Sequence, residues 1–151
     1  WSVPAIATAI AVPAMAASVE YVFDFNYYQF HPTEGDIQFQ TRFSWNGTEQ
    51  FNEGTPVKGT VAASQLIVSV LDSSGSEPAA NVEVSVVIID VNTGLVADLG
   101  LPTIPTTTDE NGYIIAEDTF FSASAPSGTY IFRVTLTATG TSYDTLPWTL
   151  T

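Results

Sequence analysis

Few groups in this sequence could do chemistry, and their spacing keeps them apart. Hydrolysis by a nucleophile needs a base steadied by an acid, and the chain offers a single imidazole, His31, in Phe30-His31-Pro32. A lone histidine before proline reads as a turn residue rather than a base. The adjacent carboxylates Asp109-Glu110 and Glu117-Asp118 are the other proton-transfer candidates. Both pairs fall at expected turns or strand ends, where solvated acids belong. Asp109, Glu110 and Asn111 have the oxygen donors calcium prefers, but not the alternating Asp-x-Asp-x-Asp spacing of a dedicated loop. Followed by Gly112, they read as a turn. Cysteine is absent, which removes thiolate catalysis, disulfides and Cys-based zinc or iron sites together. Neither a G-x-x-x-x-G-K nor a G-x-G-x-x-G phosphate cradle occurs. Asn46-Gly47-Thr48 satisfies the N-glycosylation pattern, although a hairpin turn accounts for the same residues. Tyr27, Tyr28 and Phe30 suggest an aromatic platform for carbohydrate, yet filling the core is the ordinary work of an aromatic strand and is what we expect of them. The expectation is therefore no catalytic, cofactor-binding or metal-binding residue, no cofactor and no enzyme.

Charge narrows the partners. Arg42, Lys58 and Arg133 stand against sixteen acidic residues, a formal charge of -13. Such a field repels phosphate backbones and anionic headgroups, so nucleic acid and polybasic docking to membranes are not expected. With 45% hydrophobic and 12% aromatic residues in 151, there is material for one well-filled domain.

The elements that would position any site are strands. Val19, Tyr21, Phe23, Phe25 and Tyr27 alternate with Glu20, Val22, Asp24 and Asn26, and Ile37, Phe39, Thr41, Phe43 and Trp45 alternate with polar residues from Asp36 to Ser44. Period two is the mark of a half-buried strand. Asn46-Gly47 suits a two-residue hairpin turn, with a return strand from Thr48 to Phe51. Further strands are predicted at Leu66 to Leu71, Val82 to Val91, Tyr113 to Ala116, Tyr130 to Ala138 and Tyr143 to Leu150. Turns such as Asp72-Ser73-Ser74-Gly75, Asn92-Thr93-Gly94 and Thr139-Gly140 separate them. Short strands without intervening helices predict an all-β fold, an antiparallel immunoglobulin-like sandwich over residues 19–151. Its expected core is Phe39, Phe43, Trp45, Val68, Val84, Val86, Ile88, Phe132 and Val134.

Residues 64–139 carry a resemblance. SQLIVSVLDSSGSEPAANVEVSVVIID, then TTTDENGYI, then SGTYIFRVTLTATG is similar to bacterial immunoglobulin-like domains of the invasin and intimin type. The resemblance implies the sandwich and hardly any particular activity. The aromatic section at residues 19–51 lies outside that motif.

Residues 1–18 differ from the rest: the first charge is Glu20, and Ala, Val and Ile dominate. WSVPAIATAIAVPAMAAS resembles the tail of actinobacterial twin-arginine export signals, with small residues at Ala14, Ala16 and Ala17 where a peptidase cuts. This implies an extracellular or cell-surface protein. The stretch is short for a permanent membrane span, and Pro4 and Pro13 interrupt a helix. Apolar surface left in water forfeits about 25 cal/mol per Å², and open sandwich edges accept strands. We therefore expect this segment to act as an assembly element, with Val3, Ile6, Ile10 and Val12 packing into a neighbouring copy. That makes the chain a structural subunit of a homo-oligomeric filament. The alternative expectation is a monomeric secreted adhesion or ligand-binding module.

Overall fold

The computed structural model describes residues 21–30, 37–44 and 49–151. Ten strands follow in order: β1 (Tyr21–Phe30), β2 (Ile37–Ser44), β3 (Gln50–Gly54), β4 (Ala63–Asp72), β5 (Val84–Asp90), β6 (Val96–Ala97), β7 (Tyr113–Glu117), β8 (Gly128–Leu136), β9 (Thr141–Asp144) and β10 (Trp148–Leu150). No helix occurs among the described residues, so none there is long and apolar enough to cross a membrane. The first sheet runs β3-β2-β1-β4-β7; the second runs β10-β8-β5-β6, with β9 also paired to β8. Every strand pair is antiparallel. The fold is the expected all-β, immunoglobulin-like sandwich.

Period two decides which side chains meet between the sheets. In β1, Phe23, Phe25 and Tyr27 are buried while Asp24, Asn26 and Tyr28 are not. Phe132 on β8 meets this row, its ring 5.2 Å from Phe25 and 5.0 Å from Tyr27. Trp148 closes that end, within 5.1 to 5.6 Å of the rings of Phe39, Phe121, Tyr130 and Phe132. The Tyr130 hydroxyl donates to the Pro126 carbonyl at 2.8 Å, the tyrosine-corner arrangement of Greek-key sandwiches. A polar tie sits inside as well. Gln29 is fully buried, accepts from the Val57 N–H at 2.9 Å and donates to the Val57 carbonyl at 3.2 Å, which fastens residues after β3 onto β1.

Of the expected core, Phe39, Phe43, Val68, Val84, Ile88, Phe132 and Val134 are buried. Trp45 lies outside the described residues, as do Val19, Glu20 and the Asn46-Gly47 turn. Val86 departs from expectation: it is only half-buried, packed against the core from the side. The sheet narrows there, because β6 pairs only with Ile88 and Ile89 of β5. The strand expected over Tyr143–Leu150 is two strands. Thr145 breaks it by bonding twice to Phe132, N–H to carbonyl at 3.0 Å and hydroxyl from N–H at 3.0 Å. Pro147 then supplies no N–H for a continuous ladder. β6 itself was not anticipated.

Candidate functional site

Among the described residues, the groups singled out for chemistry do not converge. His31 lies outside the described residues. Asp109 spends its Oδ1 on the N–H groups of Asn111 at 2.8 Å and Tyr113 at 2.9 Å, which makes the expected turn. Gly112 completes that turn at φ 78°, where a Cβ would sit 2.6 Å from the Val70 carbonyl oxygen. Glu117 accepts from Gln65 Nε2 at 3.2 Å, and Asp118 sits at φ 57° with its N–H on the Ser64 carbonyl. The assembly candidates Val3, Ile6, Ile10 and Val12 lie outside the described residues.

All three basic side chains are already engaged. Arg42 holds Asp24 at 3.0 Å and Glu49 at 3.1 Å, and Arg133 holds Asp144 at 2.7 Å. Hydrogen bonding to Asp24 and to Asp144 pushes the two guanidinium groups above their ordinary value. Lys58 donates to the Ser127 hydroxyl at 3.0 Å. The remaining carboxylates therefore present a surplus of negative charge to solvent.

Two surfaces stand out. One is the outer face of the first sheet. Register places Glu53, Gln40, Tyr28, Gln65 and Glu117 in one row across β3, β2, β1, β4 and β7. The Tyr28 hydroxyl donates to Gln65 Oε1, and Gln40 Nε2 donates to Asn26 Oδ1 at 3.0 Å. Phe30 stands edge-on to Tyr28, ring centroids 5.2 Å apart at 80°. The aromatic trio thus divides: Tyr27 fills the core as expected, whereas Tyr28 and Phe30 lie on the outer face, half-exposed. Comparison with protein-family models, curated proteins and solved structures finds no match to this chain.

The second surface is the β5–β6 edge of the second sheet. The N–H of Val84 bonds the Thr106 carbonyl and that of Asp90 bonds the Leu95 carbonyl. Alternation therefore points the N–H and C=O of Val86 and Ile88 toward the same side. Ile88 finds Ala97 of β6 there, whereas Val86, paired to Val134 of β8 on its other side, meets no strand on this side among the described residues. The chain from Asp98 to Pro105 swings away and leaves an apolar groove of about 260 Å³ between Val86, Val96, Leu101 and Ile104. At its rim Leu95 and Val96 are 68% and 67% exposed. Sequence reasoning missed this edge, although Asn92-Thr93-Gly94 followed by Leu95-Val96-Ala97 is the signature of a hairpin with a return strand.

Proposed function

We propose that the chain is a structural subunit of an extracellular or cell-surface filament, with copies joined through the apolar edge of the second sheet. The observation that carries this reading is the pair Leu95 and Val96, exposed on a sheet edge beside an apolar groove. Soluble proteins protect such edges with charge, proline or a covering element, because an unprotected one pairs with other chains. The inserted element is the uncharged segment 1–18 of a neighbouring copy, carrying Val3, Ile6, Ile10 and Val12. It suits the role electrostatically, since two surfaces of a chain at -13 repel each other while this stretch bears no side-chain charge. Eighteen extended residues reach roughly 60 Å at about 3.3 Å each, ample to cross to a neighbour. A head-to-tail contact that does not close into a ring propagates as a filament.

Light scattering and negative-stain electron microscopy of the purified full chain test the reading. Filaments are expected, with soluble folded monomers from a chain lacking residues 1–17 and from Val96→Lys. A monomeric full chain, or unchanged filaments from either variant, overturns it. The monomeric binding module then takes its place, a reading favoured by the outer face of the first sheet.

A further inference from the structure

We propose that the outer face of the first sheet binds a neutral polysaccharide, laid along β4 between Tyr28 and Phe30 on one side and the β7 residues Tyr113 and Glu117 on the other. This site lies on the sheet opposite the assembly edge and does not depend on it.

The floor of the site is built by β4, whose outward residues include the small Ala63 and Ser69. Two depressions lie over it. One of about 310 Å³ is bounded by Asp24, Asn26, Ile67 and Tyr113, the other of about 330 Å³ by Tyr28, Phe30, Gln65 and Glu117. From Asp24 to Phe30 the strand rises about 20 Å at 3.3 Å per residue, so together they make a trough rather than a single-ligand pocket. Its walls combine aromatic rings with carboxamides. Pyranose rings present an apolar C–H face that stacks on an aromatic ring, and a rim of hydroxyls that both donate and accept. Gln65 and Asn26 also both donate and accept, and Tyr28 does so through its hydroxyl. The side chains are already held: Tyr28 to Gln65, Gln65 to Glu117, Gln40 to Asn26. Binding therefore does not have to immobilise them first.

Other occupants fit less well. β4, the floor, is paired on both sides, to β1 and to β7, so its backbone cannot take an added peptide strand. An anionic polymer would meet Asp24, Glu53, Glu117 and Asp118, and Arg42 is already committed to Asp24 and Glu49. An apolar partner would bury the hydrogen-bonded amides at the centre of the row.

The test is affinity electrophoresis of the full chain through gels containing hydroxyethyl-cellulose, mannan, arabinogalactan or xylan, repeated with Val96→Lys to remove avidity. Retardation by at least one of these polymers is expected for both proteins. Tyr28→Ala should weaken it about tenfold, the equivalent of ~1.4 kcal/mol, and Gln65→Ala and Phe30→Ala should weaken it too. Circular dichroism checks that each variant is folded; if Tyr28→Ala is not, the other two carry the comparison. Binding should persist as salt rises from about 0.05 to about 0.5 M, because it does not rest on charge. Three results overturn the proposal: no retardation by any of the four polymers, retardation unchanged in all folded variants, or retardation abolished by salt and stronger with cationic chitosan. The last would assign the face to a cationic partner.

Discussion

Val84 and Val86 stand two residues apart on β5, and alternation alone would give them the same fate. The structure does not: Val84 is fully buried, whereas Val86 is half-buried along the edge groove. Aspartate at Val84 forfeits the burial of a valine, about 1.5–3 kcal/mol, and adds several kcal/mol for an unpaired buried carboxylate. That sum rivals the whole stability of about 5–15 kcal/mol expected of a domain, so Val84→Asp should be unfolded without denaturant. Aspartate at Val86 loses about half as much burial, roughly 1 kcal/mol, and its carboxylate reaches water through the mouth of the groove. Asp98 beside it adds a modest repulsion. Urea unfolding followed by far-ultraviolet circular dichroism separates the two. With a slope of about 1–3 kcal/mol per molar urea, Val86→Asp should shift the midpoint by about 0.5–1 M and remain cooperative. In light scattering the same variant should fail to assemble. An unfolded Val86→Asp, or equal costs at the two positions, would refute the placement of Val86 at an open edge.

Burial pushes the Tyr27 hydroxyl well above its ordinary value of 10.0, against hydrogen bonds from its neighbours that pull the other way. A folded-state value above the unfolded one means a stabilising contribution that is intact below about pH 10 and is lost as pH rises beyond it, at ~1.4 kcal/mol per pH unit. Tyr27→Phe should cost about 1 kcal/mol at pH 7, for the bond to the Thr119 carbonyl. It should also show an alkaline decline that grows shallower, by up to one proton, in melts between about pH 9 and 11; identical slopes would contradict the burial. Gly94 and Gly112 share a positive φ of 73° and 78°, but a Cβ at Gly94 meets nothing within 4 Å. Alanine should therefore cost about 1–2 kcal/mol at Gly94, from conformation alone, and clearly more at Gly112, where the Val70 carbonyl must move; equal melting shifts would show that the β4–β7 contact yields freely.

Much of this molecule is local and therefore legible. Phe23, Phe25 and Tyr27 share a face because a pleated chain gives them no alternative. The same alternation already set Tyr28 and Phe30 on the opposite side; grouping them by aromatic character hid it. Asp109 and Gly112 make their turn through bonds spanning four residues, so their types sufficed. The scarcity of basic residues and the absence of cysteine likewise bounded the chemistry before any fold was considered. Tertiary structure decided what depends on neighbours distant in sequence. The row Glu53, Gln40, Tyr28, Gln65 and Glu117 exists only once β1 is flanked by β2 and β4, and no periodicity within one strand encodes that order. Gln29 occupies an inward position that alternation assigns to an apolar residue, and only the approach of Val57 explains it. The same holds at the edge, where Val86 carries the pattern of a core residue. Whether a partner strand covers it depends on where the chain after Ala97 turns away, and that path is set by contacts such as the Ser122 N–H on the Leu99 carbonyl, across more than twenty residues. Alternation fixes which side chains share a face; only the packing of the second sheet fixes which of them water still reaches.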